Sequence, residues 1–265
     1  MQTEIHKGYV ETSEGQIHYR MLGKPSSQLP IVFLHQTSSS SVMYEALMRE
    51  LQNDFSTLAF DTPGFGNSFF PSGKPTVPYY ARIIQEALKA LEVKQCFLFG
   101  HHTGAAIAVE MAITSPTLVR KLALSGPSCL TPEERTARIE KIRPLKIDKD
   151  GNHLLFAWKR AKGKDDRWPL WLVHREAVLN LVAGERYHEG YLAVYENDLQ
   201  SKLPKVQCET LVLAGELDMN RAAAEAAVRT LRQGVLQHIP NGDPYMCDLQ
   251  APPISEILQT FFRRG

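Results

Sequence analysis

A five-residue run, Gly100-His101-His102-Thr103-Gly104, sets two imidazoles between two glycines. The apolar stretch FLF runs into it and the helical pattern TGAAIAVEMAIT leaves it, so the run reads as a sharp strand-to-helix turn. In so tight a turn the flanking positions have little room for a Cβ atom, and the central residue is held in a strained backbone conformation. The side chain of His102 is therefore expected to project from the sheet edge at the N-terminus of a helix. An imidazole held there can serve as a general acid or base near neutral pH, or as a nucleophile through a ring nitrogen.

The rest of the chain supplies elements able to hold such a turn. GYVETSEGQIHYRML alternates and turns at Ser13-Glu14-Gly15, the pattern of a β-hairpin. The apolar run Ile31 to Leu34 and the segment FSTLAFD read as buried strands with the helix YEALMRELQ between them. The loop TPGFGNS and the helix YYARIIQEALKALEV then lead into the strand KQCFLFG. After the elbow come TGAAIAVEMAIT and the strand VRKLALSG. Regular strand–helix alternation predicts a mostly parallel sheet with helices on both faces. From about Ser128 to Pro204 the chain reads as helices only, and all three tryptophans lie there. The alternation resumes with TLVLAG, RAAAEAAVRTLRQ, VLQHIP and PPISEILQTFFRR.

Composition narrows the function classes. The 265-residue chain is 43% hydrophobic and 22% charged, ordinary for a globular protein with a large core. A net charge of +1, from 30 basic and 29 acidic residues, gives no electrostatic case for nucleic acid or an anionic membrane. MQTEIHKGYV lacks the basic and apolar regions of a signal peptide, and no apolar run is long enough to span a bilayer. Cys96, Cys129, Cys208 and Cys247 show no metal-type spacing. A cytoplasmic chain with reduced thiols is the expectation.

The motifs, in order, resemble the α/β-hydrolase family over nearly the whole chain. FLHQTSSSS is similar to that family's H-G-x oxyanion segment, DTPGFGNS to its D-x-x-G-x-G-x-S loop, and GHHTG to its G-x-S-x-G nucleophile elbow. LVLAGELD is similar to the segment that carries the acid, and IPNGDPYMCDLQAPPISEILQTFF to the C-terminal segment that carries the histidine. The resemblance implies an α/β-hydrolase fold, with a mostly parallel eight-stranded sheet. It implies a core domain of residues 1–127 and 205–265, and a helical lid of residues 128–204 inserted between strands. Within the family the chain resembles an atypical group with a G-x-H-x-G elbow.

The departures bear on chemistry. His102 stands where the family has serine, Asp243 where it has the general-base histidine, and Gln36 where the oxyanion segment has glycine; Asp218 matches the acid. A Ser-His-Asp relay cannot be assembled from these positions. The set His102, Asp218 and Asp243 is expected to be catalytic. His102 with Asp218 makes a base and its orienter, and Asp243 a second acid–base group or a substrate anchor. The competing reading is a degenerate, inactive elbow. Gln36 is expected to donate to a developing oxyanion or orient the substrate, with a harmless surface substitution as the alternative; the backbone N–H groups of Gln36 and Thr103 complete the hole, and His35 acts mainly through the backbone around it. His101 packs under the turn on this reading. One histidine and two carboxylates have the composition of a metal set, but no HExxH-type motif accompanies them, and neither metal nor cofactor is expected.

Trp158, Trp168, Trp171, His174 and Tyr195 are expected to line an apolar cavity under the lid, with packing within the lid as the alternative for each. The basic run RTARIEKIRPLKIDK reads as a solvated helix face, with attraction of an anionic substrate as the alternative. The function that follows is an enzyme acting on a small, largely apolar organic substrate: an ester, a lactone or a C–C bond. Cofactor-independent lyase or decarboxylase chemistry, or small-molecule binding without turnover, are the alternatives. The partner is a small-molecule substrate, with no nucleic acid or membrane; the oligomeric state is open.

Overall fold

The computed structural model describes residues 4–23, 28–163 and 167–263; residues 1–3 of the N-terminal segment and 164–166 of the helical segment lie outside the described residues. The hairpin pairs β1 (His6–Glu11) with β2 (Gln16–Leu22), Glu11 opposite Gln16, around the expected turn. Six further strands follow: β3 (Ile31–Leu34), β4 (Thr57–Phe60), β5 (Cys96–His101), β6 (Val119–Ser125), β7 (Thr210–Gly215) and β8 (Gly234–Ile239). All join one eight-stranded sheet in the order β1-β2-β4-β3-β5-β6-β7-β8. Strands β3 to β8 are parallel, and β2 runs antiparallel to both β1 and β4. Every residue of β3, β4, β5 and β7 is buried, which is why these segments read as continuous apolar runs rather than as alternating ones.

The helices, in chain order, are α1 (Glu45–Leu51), α2 (Val77–Ala90), α3 (Thr103–Thr114), α4 (Pro132–Ile139), α5 (Asn152–Lys162), α6 (Leu170–Ala183), α7 (Glu189–Glu196), α8 (Leu199–Lys202), α9 (Arg221–Thr230), α10 (Met246–Leu249) and α11 (Ala251–Arg263). Successive strand side chains point to opposite faces, and the core divides accordingly. Val32, Leu34, Leu98, Leu122, Leu124 and Val212 pack with α2, α3 and α9. Ile31, Phe33, Phe97, Phe99, Leu211 and Leu213 pack with α1 and α11. On the second face the Phe33 ring lies 4.8 Å from Tyr44 and 5.6 Å from Phe99, centroid to centroid.

Local chemistry starts and stops these elements. Thr76 caps α2 by accepting from the Tyr79 amide, with a proline in the first turn, and the buried side chains recur at helical spacing from Val77 to Leu88. A capping box between Thr131 and Glu134 opens α4, which buries no residue. Helix α3 differs: its N-cap residue is His102, which makes no side-chain cap, and the helix is stabilised instead by burial of most of its length beside the sheet. The last strand-to-helix connection, expected as a loop, also contains the short α10.

Residues 128–204 contain α4 to α8 and no strand among the described residues, as their sequence suggests. Tethers hold these helices to the loops that follow β3 and β8. Ser38 Oγ donates to Asn180 Oδ1 at 2.6 Å, Tyr191 Oη to the Thr37 carbonyl at 2.5 Å, and Trp168 Nε1 to Asp243 Oδ2 at 2.6 Å. A two-pronged pair, Arg175 Nη1 to Asp248 Oδ1 at 2.6 Å and Nη2 to Oδ2 at 2.8 Å, joins α6 to α10. No helix among the described residues is long and apolar enough to cross a membrane.

Candidate active site

The elbow is built by exclusion. A Cβ on Gly104 would stand 1.9 Å from the Leu34 carbonyl oxygen, and one on Gly100 would stand 2.2 Å from the Gly104 oxygen. Only glycine lets β3, β5 and α3 approach this closely. Between the two glycines His102 takes φ 48° and ψ −105°, a strained combination for a residue with a side chain. Its amide donates to the Ser125 carbonyl at 2.9 Å, fixing the turn to the end of β6.

The ring of His102 pairs with Asp218, Nε2 to Oδ2 at 2.7 Å. Asp218 lies in the loop after β7, where its amide donates to the Gly215 carbonyl and its Oδ1 accepts from the Asn220 amide at 2.7 Å. Asn220 Nδ2 in turn donates to the Gly126 carbonyl and to Ser128 Oγ, closing the loop against the end of β6. Burial alone would raise the Asp218 carboxyl. The charge and hydrogen bond of His102, with smaller help from His101 and the Asn220 amide, outweigh burial and hold it at about 2. Asp218 is therefore ionised near neutral pH and can only accept. Nε2 of His102 must carry the proton, and in the neutral ring Nδ1 keeps its lone pair. Nδ1 has no hydrogen-bond partner among the described residues.

Gly126, just past β6, is part of this arrangement. It has φ +55°, and a Cβ there would stand 2.6 Å from His102 Nε2 and 3.0 Å from Asp218 Oδ2. The His–Asp pair thus occupies space that any other residue at position 126 would fill. SGPS gives no motif-level sign of this in the sequence; a glycine directly after a strand beside the elbow is the only hint.

His101 stacks on His102, with ring centroids 4.2 Å apart, and is fully buried. Its Nε2 donates to the Pro244 carbonyl at 3.0 Å, so its Nδ1 accepts from Ser125 Oγ at 2.8 Å. Burial, reinforced by the neighbouring His102, pushes its pKa down to about 3, and it stays neutral. Gln36 Nε2 donates to the same Pro244 carbonyl at 3.0 Å. One carbonyl therefore ties the elbow, the loop after β3 and the loop after β8 together. His35 is buried with both nitrogens engaged: Nδ1 donates to the Gln36 carbonyl and Nε2 accepts from the Thr62 amide. Both contacts are to backbone groups. Thr103 Oγ1 meets Thr37 Oγ1 at 2.9 Å and accepts from the Thr37 amide. The Thr103 amide, in the first turn of α3, has no intrahelical acceptor.

Asp243 does not join His102. Its Oδ2 accepts from the Trp168 indole and its Oδ1 from the Tyr245 amide at 2.8 Å, so both oxygens are spent on fixing the loop and the indole. The indole that captures it comes from the helical segment, so the pairing has no local sequence signal. Among the described residues no group of His, Cys, Asp and Glu is arranged to hold a metal ion.

A cavity of about 660 Å³ opens over the elbow. Gln36, His102 and Thr103 line its floor, with Asn220 and Tyr245 beside them, and Trp168 and Tyr195 lie on the helical wall. Three residues expected on this wall lie elsewhere. Trp158 packs against the small cluster of Ala161, Val173 and Ala177, where an apolar helix face needs cover. Trp171 is 55% exposed beneath the Arg175 guanidinium, and His174 is on an outer cleft with Arg20 and Ser40. The wall also holds residues that the sequence reading missed: Arg160, Glu176, Asn180, Tyr187 and Tyr191. Their helical spacing looks the same whether they face the cavity or solvent. All four cysteines are free; Cys247 is buried, which holds its thiol well above the usual range.

The sheet order, the elbow backbone and the carboxylate after β7 together define the α/β-hydrolase fold. The family model described as alpha/beta hydrolase fold matches residues 30–159. Over 244 residues the chain is 25% identical to an (E)-2-((N-methylformamido)methylene)succinate hydrolase of Acinetobacter baylyi, covering 88% of this chain and 89% of that one. A 2-(acetamidomethylene)succinate hydrolase of Mesorhizobium japonicum is 33% identical over 108 residues, 41% of this chain and 38% of its own. Among solved structures, the enol-lactonase of Burkholderia xenovorans LB400 superposes with a TM-score of 0.82 at 18% identity, covering 97% of this chain and 100% of that one.

Proposed function

We propose that this protein is a hydrolase of small organic esters or lactones in which His102 is the general base and Asp218 its orienting partner. The observation that carries the proposal is the 2.7 Å contact from His102 Nε2 to an ionised Asp218, which leaves Nδ1 unpartnered on a ring that lines the cavity. The relatives support the same class, since each is named as a hydrolase of a small organic molecule.

On this reading a water molecule in the cavity gives its proton to Nδ1 as its oxygen attacks the substrate carbonyl carbon. The imidazolium so formed is stabilised by Asp218, whose charge faces the opposite side of the ring. The backbone N–H groups of Thr103 and Gln36 donate to the carbonyl oxygen as it gains charge. When the tetrahedral intermediate collapses, the C–O bond breaks and Nδ1–H returns its proton to the leaving alkoxide. An acid and an alcohol leave, and the imidazole is neutral again. No serine is needed, which fits an elbow that holds histidine. Residues 128–204 act as a lid over the core formed by 1–127 and 205–265, and Asp243 is its anchor through Trp168.

Turnover of p-nitrophenyl acetate and of a simple γ-lactone tests the proposal. Wild-type hydrolysis that falls by about 10²-fold or more in both His102→Ala and Asp218→Asn supports it. Hydrolysis unchanged in both variants rejects the assignment. Stabilisation by compounds that are never consumed points instead to binding without turnover.

A further inference from the structure

The walls of the cavity carry an imbalance of charge. Arg138, Lys141, Arg143 and Arg160 line it, and none of the four has a carboxylate partner among the described residues. Arg143 spends its guanidinium on the Glu140 and Ile142 carbonyls, and Arg138 reaches Tyr195 Oη only at 3.4 Å. Among the described residues the one acidic residue lining the cavity, Glu176, is already compensated: its Oε1 accepts from Arg175 Nε at 2.8 Å and Nη2 at 2.6 Å. The protein as a whole is nearly neutral at +1, so this excess is local. In a partly enclosed hollow such an excess concentrates anions, an attraction that salt screens where the cations meet solvent.

Arg160 is the most constrained of the four. Its guanidinium lies over two rings at once, 5.1 Å from the Tyr187 centroid and 4.8 Å from that of Tyr191. A hydrogen bond to Tyr191 and the two ring faces hold the guanidinium, which with five N–H donors keeps others for an acceptor. The same Tyr191 donates to the Thr37 carbonyl, and Thr37 contacts Thr103 at the start of the helix behind His102. The guanidinium is thus tied through two side chains to the elbow.

We infer that the cavity selects a substrate bearing a carboxylate, and that Arg160 binds that carboxylate through its paired N–H groups while the scissile carbonyl lies at His102. Arg138, Lys141 and Arg143 draw the anion in. This deepens the hydrolase proposal and rests on it for the position of the reacting group, but carboxylate binding itself does not require turnover.

Two matched probe pairs test the inference and keep the two claims apart. The first is mono-p-nitrophenyl succinate against p-nitrophenyl acetate. Wild-type kcat/KM should favour the anionic ester by about tenfold or more at low salt, the advantage should shrink in about 0.5 M NaCl, and Arg160→Gln should bring the ratio near one, mainly through KM. The second is binding of succinate against diethyl succinate, followed by calorimetry. Succinate should bind wild type at least about tenfold more tightly than the diester, and this preference should be lost in Arg160→Gln. Lys141→Gln, an exposed site, should weaken succinate binding about two- to threefold while leaving Tm unchanged, which guards against a misfolded Arg160 variant. If neither ester is hydrolysed but succinate binds through Arg160, the hydrolase proposal fails and the carboxylate site stands. Equal binding of succinate and its diester, or full succinate binding in a folded Arg160→Gln, overturns the inference.

Discussion

Gly126 lies beneath the His102 imidazole so closely that a methyl group in place of its hydrogen would stand 2.6 Å from Nε2. The strand that ends just before Gly126 and the strand that leads into the elbow are neighbours in the sheet, so the ring crosses from one strand end to the next before it meets Asp218. A residue outside every recognised motif thereby sets where the imidazole rests. Gly126→Ala should cost about 1–2 kcal/mol in stability from its left-handed backbone. By displacing the ring it should lower kcat/KM by about 10²-fold. Urea unfolding and ester kinetics check both effects, and an alanine variant with wild-type kinetics would show that the ring does not act from this position.

The two candidate acidic partners should separate sharply. Asp218→Asn removes the charge opposite the imidazolium and should lower kcat/KM by about 10²-fold or more. Asp243→Asn keeps one acceptor for two donors, the Trp168 indole and the Tyr245 amide, and should cost about 1–3 kcal/mol in stability with less than about a tenfold effect on kcat/KM. A shift in tryptophan fluorescence should accompany it. Equal losses of activity in the two variants would return Asp243 to the chemistry.

Much of this fold was legible in the sequence because buried parallel strands leave continuous apolar runs and helices leave a longer period. Ile31–Leu34 and Thr103–Thr114 match their expected limits. The elbow was legible because glycine spacing reports backbone crowding directly. The His102–Asp218 pair followed only through the family resemblance, since 116 positions separate the two residues. Asp243 and the cavity wall were less legible for a common reason: both depend on how α5, α6 and α7 dock. Docking assigns Trp168 to Asp243, turns Trp171 outward and brings Arg160 under two tyrosines. The basic run at 135–149 read first as a solvated face, yet Arg138, Lys141 and Arg143 reach the cavity.

Acid should unfold the protein in two stages. Burial pushes His101 down to about 3, and His35 shifts in the same direction. For Asp61, burial alone would raise the carboxyl, but donors including His18, Ser41 and the Asn67 amide outweigh it and hold the group at about 2; Asp218 is held at about 2 as well. Each of these groups binds its proton less readily folded than unfolded, so the stability it contributes is complete above its unfolded pKa and is lost as pH falls toward its folded one. The histidines act below about pH 6.5 and the aspartates below about pH 3.9. The urea midpoint should hold near pH 7, decline below about 6.5, and decline more steeply below about 4. His101→Gln should flatten the upper stage. A wild-type midpoint that stays level down to about pH 4 would contradict the buried, neutral histidines.

The most direct test of the central claim is chemical rescue. His102→Ala leaves a space beside Asp218 that free imidazole can enter. Ester hydrolysis by this variant should be at least about 10²-fold below wild type and should rise with added imidazole, saturating as the space fills. The same imidazole should give no such rise in the double variant His102→Ala with Asp218→Asn. Hydrolysis by His102→Ala at the wild-type rate, without imidazole, would contradict the account.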